Sequence, residues 1–243
     1  MGDVGFDSAL TWKLSAFIKL SEDELKVLSE LRAKSVRIER GQELAEEGET
    51  DPKAFVLQSG WGCSFKIMPD GGRQVIAFPI PGDCVGMHSM LLRKSDLSFS
   101  ALTDLEVSPV ESSRMLEIFH AHPRLAAAFL WTVARDKAMI VEHLASIGRR
   151  SAIERTAYFF MELAERLKLV GLGSETHFHC PLNQYVIADA LGLSAIHVNR
   201  VLRQLRQQNL LTVRAGEVQI DDVEALGRLA GYRGMDPGRT NPG

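Results

Sequence analysis

Cysteine is scarce in this 243-residue sequence: Cys63, Cys84 and Cys180 are odd in number and far apart. That spacing excludes a disulfide scaffold and a clustered-thiolate metal centre, and it suits a reducing compartment. No apolar run approaches the roughly 20 residues needed to cross a bilayer. The opening MGDVGFDSALTWKLSAF lacks a basic start followed by an apolar stretch and a small-residue cleavage site, so no secretory signal is expected. The expectation is a cytoplasmic chain with no membrane partner. There is no P-loop, no G-x-S-x-G elbow, no H-E-x-x-H and no paired metal-ligand motif, so an enzyme is not expected. Positive charge is not in excess either. Lys and Arg number 28 against 31 Asp and Glu, a net charge of -3 that gives no global attraction to nucleic acid. Local distribution reverses that reading. Between Asp189 and Glu217 there is no acidic residue, yet Arg200, Arg203, Arg206 and Arg214 all fall there.

What is present describes a folded chain long enough for two modest cores, with 45% hydrophobic and 24% charged residues. Leu20 to Leu25 reads LSEDEL, with Ser21 as N-cap, Glu24 completing a capping box and Leu20 and Leu25 set as a hydrophobic staple, so a short helix begins there. From about Ser35 to Val110, short alternating runs (VRIER, AFVLQSG, CSFKI, QVIAF) are separated by turns such as Asp70-Gly71-Gly72 and Pro81-Gly82-Asp83. This predicts an antiparallel β-domain with no helix between its strands. From about Arg114 the pattern is helical, with a break at Pro123 before a long helix from Arg124 to Ile147. Leu130, Val133, Lys137, Ile140, Leu144 and Ile147 are spaced three and four apart along it, the seam of a helix pair or the inner face of an ordinary core helix. Gly148 is expected to end this helix as a C′ glycine, and Ser151 with Glu154 forms a second capping box that opens a helix to about Leu167. The fold class is α+β. The expected divisions are the β-domain with flanking helices over residues 1–122, the long helix over 123–148, a C-terminal domain over 149–233, and a polar tail over 234–243 without structure.

Asn183 is placed to cap a helix from Gln184 to Leu191, Gly192 permits a tight turn, and Ser194 caps a second helix to about Gln208. In that second helix Val198, Val201, Leu202 and Leu205 share one face. The opposite face carries Ile196, Asn199, Arg200 and Arg203, flanked by His197 and Gln207. Arg pairs with guanine O6 and N7, Asn with adenine, and an exposed Ile near a helix start fits a thymine methyl, so Ile196, His197, Asn199, Arg200 and Arg203 are the candidate base readers. Asn183, Gln184 and Ser194, at helix N-termini, are candidates for phosphate contacts. LLTVR and EVQI, joined by Ala215-Gly216, are two short strands that make a wing. The competing reading is a solvated helix pair with an arginine face, and the coincidence of caps, glycine turn, acid-free stretch and wing weighs against it.

IADALGLSAIHVNRVLRQLRQQNLL resembles the helix-turn-helix of the Crp/Fnr superfamily of bacterial transcription regulators. FVLQSGWG and PGDCVG resemble two glycine-marked stations of its cyclic-nucleotide-binding-like β-roll, and RRSAIERTAYFFMELAERL is similar to the helix after its dimer helix. The resemblance implies a homodimer on a two-fold related operator in double-stranded DNA, with RNA polymerase as a further partner. It also implies a signal in the β-roll that resets the DNA-binding heads across a hinge near Gly148. The pocket it implies would lie at Gly86, Met87, His88 and Ser95. There the sequence departs from the cyclic-AMP-binding pattern: the glutamate that holds ribose is replaced by Met87-His88, and the phosphate arginine falls near Ser95. A buried cyclic phosphate without a cation would keep much of its desolvation cost, so cyclic AMP is expected to bind weakly or not at all. A second departure is Ala195-Ile196 where many members carry Arg-Glu or Glu, which implies a half-site unlike the best-known consensus.

The residues also bear on other sensors. An iron-sulfur cluster needs closely spaced cysteines, which this chain lacks. Haem needs only an axial ligand, for which His88, His120, His122 and His143 are candidates, and haem therefore stays open. In His177-Phe178-His179-Cys180 an extended chain turns the histidines to one side and Cys180 to the other, so a short strand is preferred to a metal site. Redox sensing at Cys63 or Cys84 depends on exposure and thiol acidity. An effector-independent regulator and a nucleotide-binding module of an enzyme or channel remain as alternatives. The C-terminal motif speaks against the latter.

Overall fold

The structure, a computed structural model, describes residues 8–234, and it divides into two compact units that meet between Asp136 and Lys137. Apart from Gly234, the expected tail lies outside the described residues.

The first unit opens with α1 (Ala9–Ser15) and α2 (Glu22–Arg32). The predicted capping box starts α2: Ser21 Oγ accepts from the Glu24 N–H and the Glu24 carboxylate accepts from the Ser21 N–H at 2.7 Å. Eight strands follow: β1 (Val36–Ile38), β2 (Glu43–Ala45), β3 (Ala54–Ser59), β4 (Gly62–Ile67), β5 (Arg73–Ala77), β6 (Cys84–Val85), β7 (Ser98–Ala101) and β8 (Leu105–Val110). They form two antiparallel sheets in the orders β1-β8-β3-β6 and β2-β7-β4-β5. Leu57, Phe99, Ala101, Leu105 and Val107 make one buried cluster, with Leu44 and Ala45 of β2 packed against it. The expectation of uninterrupted strands fails at one place. A helix, α3 (Met87–Leu92), lies between β6 and β7. Its six residues are too few to show a helical period in sequence. Beyond β8 come α4 (Ser112–Ala121) and the long helix α5 (Pro123–Arg149). Leu10, Leu14, Leu28, Met87, Met115, Ile118, Leu125 and Phe129 form a second core that joins α1, α2, α3, α4 and the start of α5.

One charge pair is buried beside that core. Lys13 Nζ donates to Asp83 Oδ1 at 2.7 Å with both side chains almost covered, and Asp83 Oδ2 accepts from the Ile80 N–H at 2.9 Å. Asp136, at 3.8 Å, is a second and more exposed anion for the same ammonium. Burial alone would lower the Lys13 pKa, but the two carboxylates hold it above its ordinary value. The aspartate of the PGD turn thus fixes α1 to the roll.

The second unit contains the end of α5, then α6 (Ala152–Leu169), β9 (His177–His179), α7 (Gln184–Leu191), α8 (Ala195–Gln207), β10 (Leu211–Arg214), β11 (Glu217–Ile220) and α9 (Val223–Ala230). Gly148 does not end α5. It lies within the helix, with φ outside the left-handed region, and Arg150 N–H still donates to Ser146 O. A helical glycine costs only about 1 kcal/mol relative to alanine, and the stop comes instead from Ser151, whose capping box with Glu154 opens α6 as predicted. α6 is the central helix, with Ala157, Phe160, Leu163 and Leu167 buried. Its Glu162, also buried, is paired with His143 of α5 at 2.7 Å and with Arg166 at 3.6 Å. Burial would raise that carboxyl, but His143 and Arg166 hold it below its usual range.

Candidate nucleic-acid interface

The two helices of the predicted motif are both present and capped as read. Asn183 Oδ1 accepts from the Tyr185 and Val186 N–H groups to start α7. Gly192 ends α7 in the left-handed region at φ 61°, where an L side chain is strained, and the Ser194 hydroxyl accepts from the His197 N–H at 3.2 Å to start α8. Arg155 of α6 donates from Nη1 to Leu191 O at 2.7 Å, which satisfies a carbonyl at the C-terminus of α7 and fixes the turn. Val198, Val201 and Leu205 are buried and Leu202 half-buried, so α8 is held by one face.

The opposite face is open. Asn199, Arg200 and Arg203 are exposed, His197 is half-buried, and Ile196 is 83% exposed, the highest value among the described large hydrophobic residues. Ile196, Asn199, Arg200 and Arg203 stand at i, i+3, i+4 and i+7, on one helix face. No hydrogen bond or ion pair ties the side chains of Asn199, Arg200, Arg203, Arg206 or Arg214 to another described residue. Unpaired guanidinium groups present a local positive field to a polyanion. Of the N-terminal set, Asn183 and Ser194 use their side-chain oxygens as caps and keep an N–H₂ and an O–H free to donate, and Gln184 is half-buried. Tyr185, which the sequence reading passed over, is exposed in the first turn of α7.

The wing is the antiparallel pair β10–β11, with β9 on the far side of β11. Ala215 and Gly216 both have positive φ, 53° and 81°, the requirement of the two-residue hairpin turn whose twist matches its strands. The register of β9 against β11 sets His179 opposite Glu217, and the Glu217 carboxylate takes His179 Nδ1 at 2.9 Å and His177 Nε2 at 3.2 Å. The two exposed histidines therefore cover the first acidic group after the arginine run. Phe178 and Cys180 point inward.

The residues read as a seam along α5 differ in exposure. Leu130, Lys137, Ile140, Leu144 and Ile147 are exposed, Leu144 by 72%, but Val133 packs against the core of the first unit. Val141 and Ala134 are exposed instead. Leu130, Ala134, Lys137, Val141, Leu144 and Gly148 thus form the straight heptad stripe, flanked by Ile140 and Ile147.

The residues suggested for an effector pocket turn their side chains in different directions. Gly86, left-handed at φ 77°, caps α3. Met87 belongs to the helical core, His88 turns outward to Asp96 at 2.7 Å, and the Ser95 hydroxyl donates to Leu97 O at 2.7 Å. Cys63 and Cys180 are buried and Cys84 is half-buried; desolvation pushes the Cys84 thiol up to about 12 with only partial relief from Lys13, and raises Cys180 to about 11. The raised thiols of Cys84 and Cys180 are neutral and poorly nucleophilic at ordinary pH.

Comparison with known proteins agrees with this arrangement. A cyclic nucleotide-binding domain family matches residues 35–122 and a Crp-like helix-turn-helix domain family matches residues 154–229. The nitrogen fixation regulation protein FixK of Rhizobium meliloti is 31% identical over 192 residues, 78% of this chain and 83% of that protein. The transcriptional activator protein FnrA of Stutzerimonas stutzeri is 25% identical over 214 residues, 88% of this chain and 87% of its own length. The solved structure of FixK2 from Bradyrhizobium japonicum superposes with a TM-score of 0.72 at 26% identity, over 81% of this chain and 96% of that one. A roll and a capped helix-turn-helix, matched in the same order over most of the chain, place it in the Crp/Fnr family of helix-turn-helix transcription regulators.

Proposed function

We propose that this regulator acts in the cytoplasm as a homodimer that reads a two-fold related operator in double-stranded DNA through α8, with Ile196, His197, Asn199, Arg200 and Arg203 toward base edges. Asn183, Gln184 and Ser194 contact phosphates. The observation that carries the reading is the open, partner-free face of α8, set on a helix with its other face buried. The heptad stripe on α5 supplies the dimer contact, with Lys137 as the polar residue that fixes register. Residues 1–122 form the sensor, 123–148 the dimerisation helix and 149–233 the reader. RNA polymerase is the second partner at promoters, in keeping with relatives named as transcriptional activators.

Cyclic AMP is not the signal in this reading. Met87 and His88 offer no carboxylate for a ribose, and the hydroxyl of Ser95 is committed to its own turn. A thiol sensor loses support from the raised Cys84 and buried Cys63. As haem ligands, His88 and His143 would first have to leave their carboxylates.

Gel-shift titration against the DNA upstream of the protein's own gene tests the reading. Salt-sensitive preference for one fragment over competitor is expected. Arg200→Ala should cost about 1–3 kcal/mol and relax preference at one base pair per half-site. Uniform weakening across all sequences would show that Arg200 contacts phosphate rather than a base.

A further inference from the structure

Ile196 is an unusual residue to leave 83% exposed on a face otherwise made of Asn199, Arg200 and Arg203. It sits in the first turn of α8, two residues after the Ser194 cap, the part of a recognition helix that lies deepest in the groove. Its β-branched side chain has little rotamer freedom in a helix, so its methyl surface is presented in a fixed direction. In the major groove the edges of all four base pairs offer donors and acceptors, and the one apolar feature is the C5 methyl of thymine. An isoleucine seated over a polar edge would strip water from it without replacing the hydrogen bond, an unfavourable exchange. Seated over a methyl, it gains apolar burial at no polar cost.

We infer that Ile196 makes this protein a reader of the 5-methyl group, so that one position of each half-site distinguishes thymine from uracil and, by the same contact, 5-methylcytosine from cytosine. The inference rests on the reading of α8 given above and adds a chemical class of mark to which the regulator responds. Cytosine methylation at that position would strengthen binding.

The test uses the full-length protein and a duplex selected by it from a random pool. Each thymine of one half-site is replaced in turn by uracil, and each base at the sensitive position by cytosine and by 5-methylcytosine, with affinity followed by fluorescence anisotropy. One uracil position should weaken binding about fourfold, the worth of burying one methyl group, and 5-methylcytosine should regain a similar factor over cytosine there. Ile196→Ala, at an exposed site that leaves the fold intact, should bind the thymine and uracil duplexes equally. Equal affinity of the native protein for every uracil duplex, with scrambled DNA still rejected, would overturn methyl reading and leave the DNA reader standing. A methyl effect that persists in Ile196→Ala would overturn the assignment to Ile196. Failure to prefer the selected duplex over scrambled DNA would overturn the underlying reading itself.

Discussion

Leu144→Asp is expected to convert the dimer to a monomer and to weaken operator binding by roughly 100-fold or more, because a single head loses the effective concentration that its partner supplies. Leu144 is 72% exposed in the single chain, so the substitution removes little internal packing. Surface changes of that kind stay within about 0.5 kcal/mol of the parent in stability. Across a two-fold seam every residue counts twice. Two leucines that would each gain about 1.5–3 kcal/mol on burial are lost, and two carboxylates must be desolvated without partners. Sedimentation equilibrium should show one folded species of half the mass, with native secondary structure by circular dichroism and a melting temperature that no longer depends on protein concentration. A dimer that survives Leu144→Asp would place the association surface elsewhere than on the Leu130, Lys137, Val141 and Leu144 stripe.

The second large effect is expected in the first unit. Asp83→Ala should destabilise it by about 3–5 kcal/mol, because removing one partner of a buried pair leaves the other charge uncompensated. Lys13 is nearly covered, its nearest anion is Asp83 at 2.7 Å, and the remaining carboxylate, Asp136, is at 3.8 Å and partly solvated. The Ile80 N–H would lose its acceptor as well. All three tryptophans, Trp12, Trp61 and Trp131, belong to this unit, so urea unfolding followed by tryptophan fluorescence reports on it selectively. Replacing both partners by apolar residues, Lys13→Met with Asp83→Leu, should recover most of the loss. A fall of less than about 1 kcal/mol for Asp83→Ala would mean that the pair behaves as a solvated surface contact.

Much of the reader was legible because its signals are local. The Ser21–Glu24 and Ser151–Glu154 boxes, the Asn183 and Ser194 caps, Gly192 and the Ala215-Gly216 turn each act within a few residues of chain, and all form. What was missed depends on distant partners or on short length. Val133 has the spacing of a seam residue, yet the core of the first unit claims it, which moves the second row of the stripe by one residue to Ala134, Val141 and Gly148. Gly148 looked like a helix stop, but the stop is supplied by the next helix's cap. Lys13 meets Asp83 across 70 positions, and His177 and His179 meet Glu217 only once the β9–β11 register is set. The small helix α9 also carries local signals, in Asp222, which caps it, and in the Leu226–Ala230 spacing. A position in a motif fixes the backbone and not where a side chain turns, so the core packing of Met87, the His88–Asp96 contact and the Ser95 bond to Leu97 O were not legible.

The central claim, a dimer that reads paired half-sites through α8, is tested most directly by selecting duplexes from a random pool with the full-length protein and measuring how many chains each recovered duplex binds. The recovered sequence should be an inverted repeat with half-site centres about 34–36 Å, one helical turn, or a multiple of it apart, bound by two chains. An unsymmetrical site bound by a single chain, or a pool with no enriched sequence, would contradict it.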